Sequence, residues 1–298
     1  MAPLLLDLLF WLGPQVSATP LFRQLADFYR QAANIEGLPA QAVQMSEQFA
    51  TTLVESGEQS NLLSVLANLW PLHVPSLLAR SAPVRVRTVI ETENAGTALL
   101  LLIIFSLLGV LIGVIYMNLL AQRVPLGDGP KGMSVGSFAK LALRHWLMVL
   151  LYVLLVAVAL IVAFFPVALV ASLFSLISPF FSLLPVMLFL GTMWVIFFYF
   201  YFVVAALVLD NLPVHRAMMQ SFVVVRNNFW TTLGFVVLTN LILEGFTYIT
   251  ASLAGMAPVG TLAAIVLHAY IGSGLAMALL VFYRTRVLKQ EDRLVSVA

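Results

Sequence analysis

Apolar and polar positions divide the chain near residue 95. Beyond it, five long apolar runs stand out at 97–121, 146–173, 183–209, 229–253 and 261–283. Each meets the roughly 20 residues that a helix needs to cross a hydrocarbon core. Pro166 falls inside the second run and predicts a kink there. Two amphipathic stretches precede spans, at 134–144 and 213–225. In the latter, Val214, Ala217, Met218, Phe222 and Val225 recur at helical spacing, while His215, Arg216 and Gln220 fall off that face. The pattern predicts a helix lying along the membrane surface.

The first 95 residues read differently. Residues 3–13 are apolar but short, and Asp7 interrupts them. Three readings stay open: an interfacial helix, the end of a truncated sixth span, or a signal peptide cleaved after Val16-Ser17-Ala18. The last lacks the usual basic residue ahead of its apolar run. Thr19-Pro20 opens a helix to about Asn34, along which Leu21, Leu25, Phe28 and Tyr29 share a side. Leu38-Pro39 opens a second, which Gly57 ends, and Ser60-Asn61 caps a third that stops near Trp70-Pro71. None is apolar enough to span. The pattern predicts a small helical cap on the outer membrane surface, with Leu62, Leu63, Val65, Leu66, Leu69 and Trp70 dipping into the interface. The expected organisation is an apolar stub and extracytoplasmic cap over 1–95, then an all-α transmembrane helix bundle over 96–298.

Composition agrees with spans. The 298 residues are 62% hydrophobic and 9% charged, against roughly 25% charged in a soluble domain. Cysteine is absent, which excludes disulfides, thiolate metal sites and cysteine nucleophiles. Charge then sets the orientation. Arg123, Lys131, Lys140 and Arg144 follow span one, Arg216 and Arg226 separate spans three and four, and Arg284, Arg286, Lys289 and Arg293 follow span five. The alternate connections, 174–182 and 254–260, carry no charge. The positive-inside rule puts the basic loops and the C-terminus in the cytoplasm and residues 19–95 outside. Trp146 and Trp230 stand where spans two and four begin, as interfacial anchors do. The two units that end in these tryptophans echo one another at a spacing of about 80 residues, as a duplicated helix pair would.

Candidate chemistry is sparse. The four histidines, His73, His145, His215 and His268, make no metal-ligand spacing. Stretch 127–132, Gly-Asp-Gly-Pro-Lys-Gly, lacks the phosphate-loop pattern and reads as a turn. No metal or cofactor is implied. Glu244 is the only acid deep in a span. Asn240 and Tyr248 lie one turn to either side of it. His268 is the only histidine inside a span and a candidate partner. An ionised group at mid-bilayer costs about 2.5–3.5 kcal/mol on insertion scales, so Asn240, Glu244, Tyr248 and His268 read as a polar site, structural or transport-related. Gly109 and Gly113 in span one, with Ser106 a turn earlier, let backbones approach closely. So do the pairs Gly272 with Ala276 and Gly274 with Ala278 in span five. They serve packing within the chain or between copies. The aromatic run 197–202 reads as lipid-facing bulk. Asp210 reads as a solvated helix start, where Asp210 or Asn211 caps the next helix.

Residues 209–234 carry a pattern: Asp210 after a span, then Ala217 and Ser221, then Val225-Arg226 with Phe229-Trp230 opening the next span. In this pattern the chain resembles bacterial polytopic membrane proteins related to the membrane domain of glycerophosphodiester phosphodiesterases. The resemblance implies a membrane fold, often of six spans. The catalytic barrel of that family and its metal-binding acids are absent from this chain, so no catalytic residue carries over. The expected role is a non-enzymatic inner-membrane scaffold or lipid-interacting accessory protein. The alternative is a small transporter or permease component working through Asn240, Glu244 and His268. Expected partners are membrane lipids and a second copy or another membrane protein, and not nucleic acid.

Overall fold

A computed structural model describes residues 1–34, 40–79, 88–124, 134–176, 178–256 and 258–297. Stretch 127–132 and Lys131 lie outside the described residues. The chain is an all-α polytopic bundle with almost no sheet. Five helices are long and apolar enough to cross a membrane: Ala95–Ala121, Val135–Ser175, Phe180–Leu209, Phe229–Ala254 and Pro258–Lys289. It is a multi-pass membrane protein. Two compact units form, one from Met1–Gly113 with Gly245–Ser273, the other from Val114–Glu244 with Gly274–Ala298.

The first unit opens with α1 (Ala2–Leu12), whose Leu6, Asp7 and Phe10 are buried. The carboxylate of Asp7 accepts from the Ser76 hydroxyl at 2.6 Å and from the amides of Leu78 and Leu77 at 2.9 and 3.2 Å. The acid that interrupts the apolar run is therefore what ties α1 to residues 76–78. A two-residue strand, β1 (Gln15–Val16), follows. Then come α2 (Thr19–Ala33), α3 (Ala40–Gln59), a 3-10 helix (Leu62–Leu66) and three more short strands: β2 (Asn68–Leu69), β3 (Leu72–His73) and β4 (Val89–Ile90). Strand β1 pairs in parallel with β4, and β2 pairs antiparallel with β3.

Four expectations for this region change. Gly57 does not end α3, which continues to Gln59. A Cβ there would come within 2.7 Å of the Phe22 Cβ, so glycine is needed for α2 and α3 to approach. The third helix is only the 3-10 turn, capped as expected by Asn61, whose side chain accepts from the Leu63 amide at 3.1 Å. Its Leu62 and Leu66 turn into the protein, at 4% and 6% exposure, instead of outward to an interface. In α2 the buried residue is Ala26, while Leu25 and Phe28 stay exposed. The α2–α3 hairpin is held at its polar edge by Arg30, which reaches Glu47 at 3.1 Å and Asp27 at 3.3 Å, and by Tyr29 edge-on to Phe49.

The second unit begins in the last turns of α4 (Ala95–Ala121). Helix α5 (Val135–Ser175) starts at Ser134, whose hydroxyl accepts from the Ser137 amide. Residues 134–144 do not make a separate helix: no glycine or proline stands between Lys140 and Trp146, and the turn runs unbroken into the span. At 1.5 Å per residue α5 is about 60 Å long, twice the hydrocarbon thickness. Helix α6 (Pro179–Tyr199) packs on α5, and α7 (Val203–Leu209) and α8 (Val214–Asn227) pack on each other. Helices α9 (Phe229–Ala254) and α10 (Pro258–Val297) each supply a segment to both units.

Candidate functional site: a polar cluster at converging helix ends

In the second unit, the last turns of α4, the first turns of α5, the end of α7 and the C-terminal half of α10 meet. Polar side chains occupy the junction. Asn118 on α4 donates its amide N–H to the Val114 carbonyl one turn back, at 2.8 Å. That fixes its Oδ1 outward, where it faces Nδ1 of the fully buried His145 at 2.9 Å. Nδ1 of His145 must then carry the proton. Its Nε2 lies 3.1 Å from Oδ1 of Asn211, and the side-chain amide can turn to present its N–H there instead. A neutral ring accepts there from an amide N–H of Asn211, whereas an imidazolium donates to the amide oxygen. Asn211 reaches this position with φ at 52°, a left-handed conformation that asparagine tolerates.

The neighbouring Asp210 forms the second half of the cluster. Its carboxylate accepts from the Tyr283 hydroxyl at 2.5 Å and from Nη1 of Arg284 at 2.8 Å. The side chains of Asp210 and Arg284 are 14% and 25% exposed. This pair is therefore better shielded than a surface ion pair, and its bonds are charge-assisted. Asp210 is not a solvated helix start and caps nothing on α8, whose N-cap, Pro213, has no side-chain cap bond.

The rest of the 210–230 pattern serves packing. Ala217 and Ser221 have no exposed surface. The Ser221 hydroxyl donates to the Tyr199 carbonyl at 2.8 Å and accepts from the Phe202 amide at 3.1 Å. It thus bridges the break between α6 and α7, where helical bonds lapse. The buried face of α8 is Val214, Ala217, Ser221, Val224 and Val225. Phe222, which the apolar stripe groups with Val214, Ala217 and Val225, is 38% exposed and lies against Tyr199. Arg226 and Trp230 are exposed, Trp230 at 78%, and the Phe229 ring packs edge-on against Phe198. The run 197–202 is not lipid-facing bulk: none of it is exposed. The rings contact α8, α9 and α10, with Phe202 stacked on Phe282 at 5.7 Å.

The intramembrane residues singled out from sequence divide. Asn240, Glu244 and Tyr248 are exposed on α9, Tyr248 at 76%, and Asn240 Nδ2 donates to the Val236 carbonyl at 2.8 Å. His268 is buried, with Nδ1 at 3.3 Å from the Thr250 hydroxyl. That hydroxyl donates to the Phe246 carbonyl at 2.7 Å, so the His268 ring nitrogen supplies the proton between them. Of the small residues, Gly109, Gly113 and Gly272 are covered by chain, and Gly274 opens on empty space. Among the described residues, no three His, Asp or Glu side chains gather to hold a metal ion.

Asn118, His145, Tyr283 and Arg284 were not singled out from sequence. Two weak signals point to them: one asparagine in the last turns of an otherwise apolar span, and a histidine directly before a tryptophan anchor. Chemically, the cluster fastens segments of four helices to one another. No family model, curated protein or solved structure matches this chain.

Proposed function

We propose that this protein is a non-enzymatic, multi-pass component of the bacterial inner membrane, a scaffold or lipid-interacting accessory subunit that works beside a second membrane protein or a second copy of itself. One observation carries the reading. Asn240 and Glu244 lie on the exposed side of α9, which buries a smaller share of its residues than any other candidate span among the described residues. Polar and ionisable groups within spans face protein or water rather than hydrocarbon, and such groups hydrogen-bond across helix interfaces. A transport path through Glu244 would instead enclose it within the bundle.

The lipid side of the reading rests on the second unit. Arg123, Lys140, Arg144, Arg216, Arg226 and Lys289 are exposed in this unit, while Asp210 is engaged by Arg284. Exposed cations beside a bilayer attract anionic headgroups at about 1 kcal/mol each.

Cross-linking in native membranes tests the proposal. The chain holds no cysteine, so Leu241→Cys on the exposed face of α9 and Trp194→Cys on the exposed face of α6 are clean single-site probes. A cross-linked species from position 241, lost in the Asn240→Leu, Glu244→Leu background, is expected, with none from position 194. Monomer at both positions removes the support for a partner on α9.

A further inference from the structure

We infer that residues 62–78 form a re-entrant element, which enters the membrane, turns at mid-bilayer depth and leaves on the side it entered. Three glycines fix the depth. A Cβ on Gly109 would lie 2.8 Å from the Val65 carbonyl oxygen and 3.1 Å from the Leu66 Cα. On Gly113 it would meet the Leu72 Cβ at 2.9 Å, and on Gly272 the Pro75 Cβ at 2.2 Å. These approaches require glycine. Gly109 and Gly272 each lie fourteen residues in from the start of their helices, α4 and α10. At 1.5 Å per residue that is about 21 Å along each axis. Half the hydrocarbon thickness is about 15 Å. Two spans thus report the same depth for two parts of one segment, and each glycine sits at the middle of its apolar run.

The segment has the composition and bonding that this depth demands. Residues 62–78 contain no Asp, Glu, Lys or Arg. At seventeen residues with two prolines, they are too short and too broken to cross. Non-helical backbone is tolerated within a bilayer only where protein or a wet cavity covers it. Here the amides are met from within the protein. Asn61 accepts from Leu63 and Ser64, Ser64 from Ala67, and Ala67 from Val74. Strand β2 pairs with β3. Past the turn, the Asp7 carboxylate takes the amides of Leu77 and Leu78, and the Ser76 hydroxyl takes that of Ala79. Asp7, buried on an apolar helix, thereby does for the returning limb what water would do at the surface.

The inference does not depend on which face is cytoplasmic, nor on the proposed function. It is tested on the full chain in proteoliposomes by spin labels at Trp70→Cys and Gln59→Cys, read against oxygen and a water-soluble nickel relaxant. Trp70 is partly exposed, so the label has room. The expected result is strong oxygen and weak nickel relaxation at 70, at a depth well below the phosphates, with the reverse at 59. Nickel access at 70 matching that at 59 overturns the re-entrant element and restores a surface cap. The Gly272→Val variant should raise nickel access at 70, because the added side chain displaces Pro75, while Gly274→Val, which meets open space, leaves it unchanged. An unchanged depth in Gly272→Val, in protein whose gel-filtration profile matches the parent, also overturns the inference. Should that variant fail to fold, the depth at 70 in the parent decides alone.

Discussion

At the scale of single residues, the buried histidines show how polar groups are settled. The Thr250–His268 contact at 3.3 Å is the kind of bond that double-mutant cycles in membranes value at about 0.6 kcal/mol, rarely above 1.7. Thr250→Val with His268→Ala should therefore give a coupling energy in that range on unfolding from detergent. A value of zero would show that His268 is held by packing alone. Sequence reading found His268 because a histidine inside an apolar run is rare. It did not find Thr250, because threonine bonds back to its own helix so often that its position carries little signal. His145 escaped for the opposite reason. In sequence it lies at the junction between the amphipathic stretch 134–144 and the span that opens at Trp146, and only the continuation of α5 past Arg144 brings it inside. His145→Ala strips partners from Asn118 and Asn211 at once. Asn211 is exposed and can turn to water, but Asn118 is buried; with about 1–3 kcal/mol for a group left unmet there and the cavity left by the ring, the loss should exceed that of Thr250→Val, read by the same unfolding measurement.

At the scale of elements, Ser221 explains why the buried face of α8 departs from the hydropathy pattern. The apolar stripe of 214, 217, 218, 222 and 225 groups Phe222 with Val214, Ala217 and Val225 on one face. The structure turns α8 so that Ser221 points in and Phe222 out. The reason lies in another helix: the break at 200–202 leaves the Tyr199 carbonyl and the Phe202 amide without helical partners, and Ser221 meets both. A stripe computed from one helix cannot register a backbone demand made by its neighbour. Ser221→Ala should cost about 1–3 kcal/mol and speed hydrogen exchange at the Phe202 amide in particular. Exchange unchanged there, with stability lowered, would mean that the hydroxyl acts by filling space. The same blindness explains Gly57 and the short third helix. A glycine two residues before a helix end reads as a stop, yet the close approach of Phe22 is what selects it. The hydropathy of 62–70 reads as an interfacial helix, yet β2 and β3 fold it back on itself.

At the scale of the whole molecule, the count of five spans was legible because it needs only length and hydropathy, and the helices extend the predicted runs by a few residues at most ends. Orientation is a different kind of claim, resting on where the cations fall. Asn118, His145, Asp210, Asn211, Tyr283 and Arg284 tie the last turns of α4, the first turns of α5, the end of α7 and the C-terminal half of α10 together, and Arg123, Lys140, Arg144 and Lys289 are exposed on or beside these segments. By the positive-inside rule the expected side for this junction is the cytoplasm. Labelling of single cysteines by a membrane-impermeant maleimide in intact cells decides it. Gly57 is unsuitable as a probe, since any side chain there strikes Phe22; Glu55 is exposed on the same helix and Lys289 is exposed beyond span five. Glu55→Cys should label from outside, and Lys289→Cys should label only after the cells are opened. The reverse pattern would invert every statement of sidedness and turn the basic junction towards the periplasm. The hydrogen bonds that build the junction would be unaffected, because they depend on the helix ends meeting and not on the compartment they meet in.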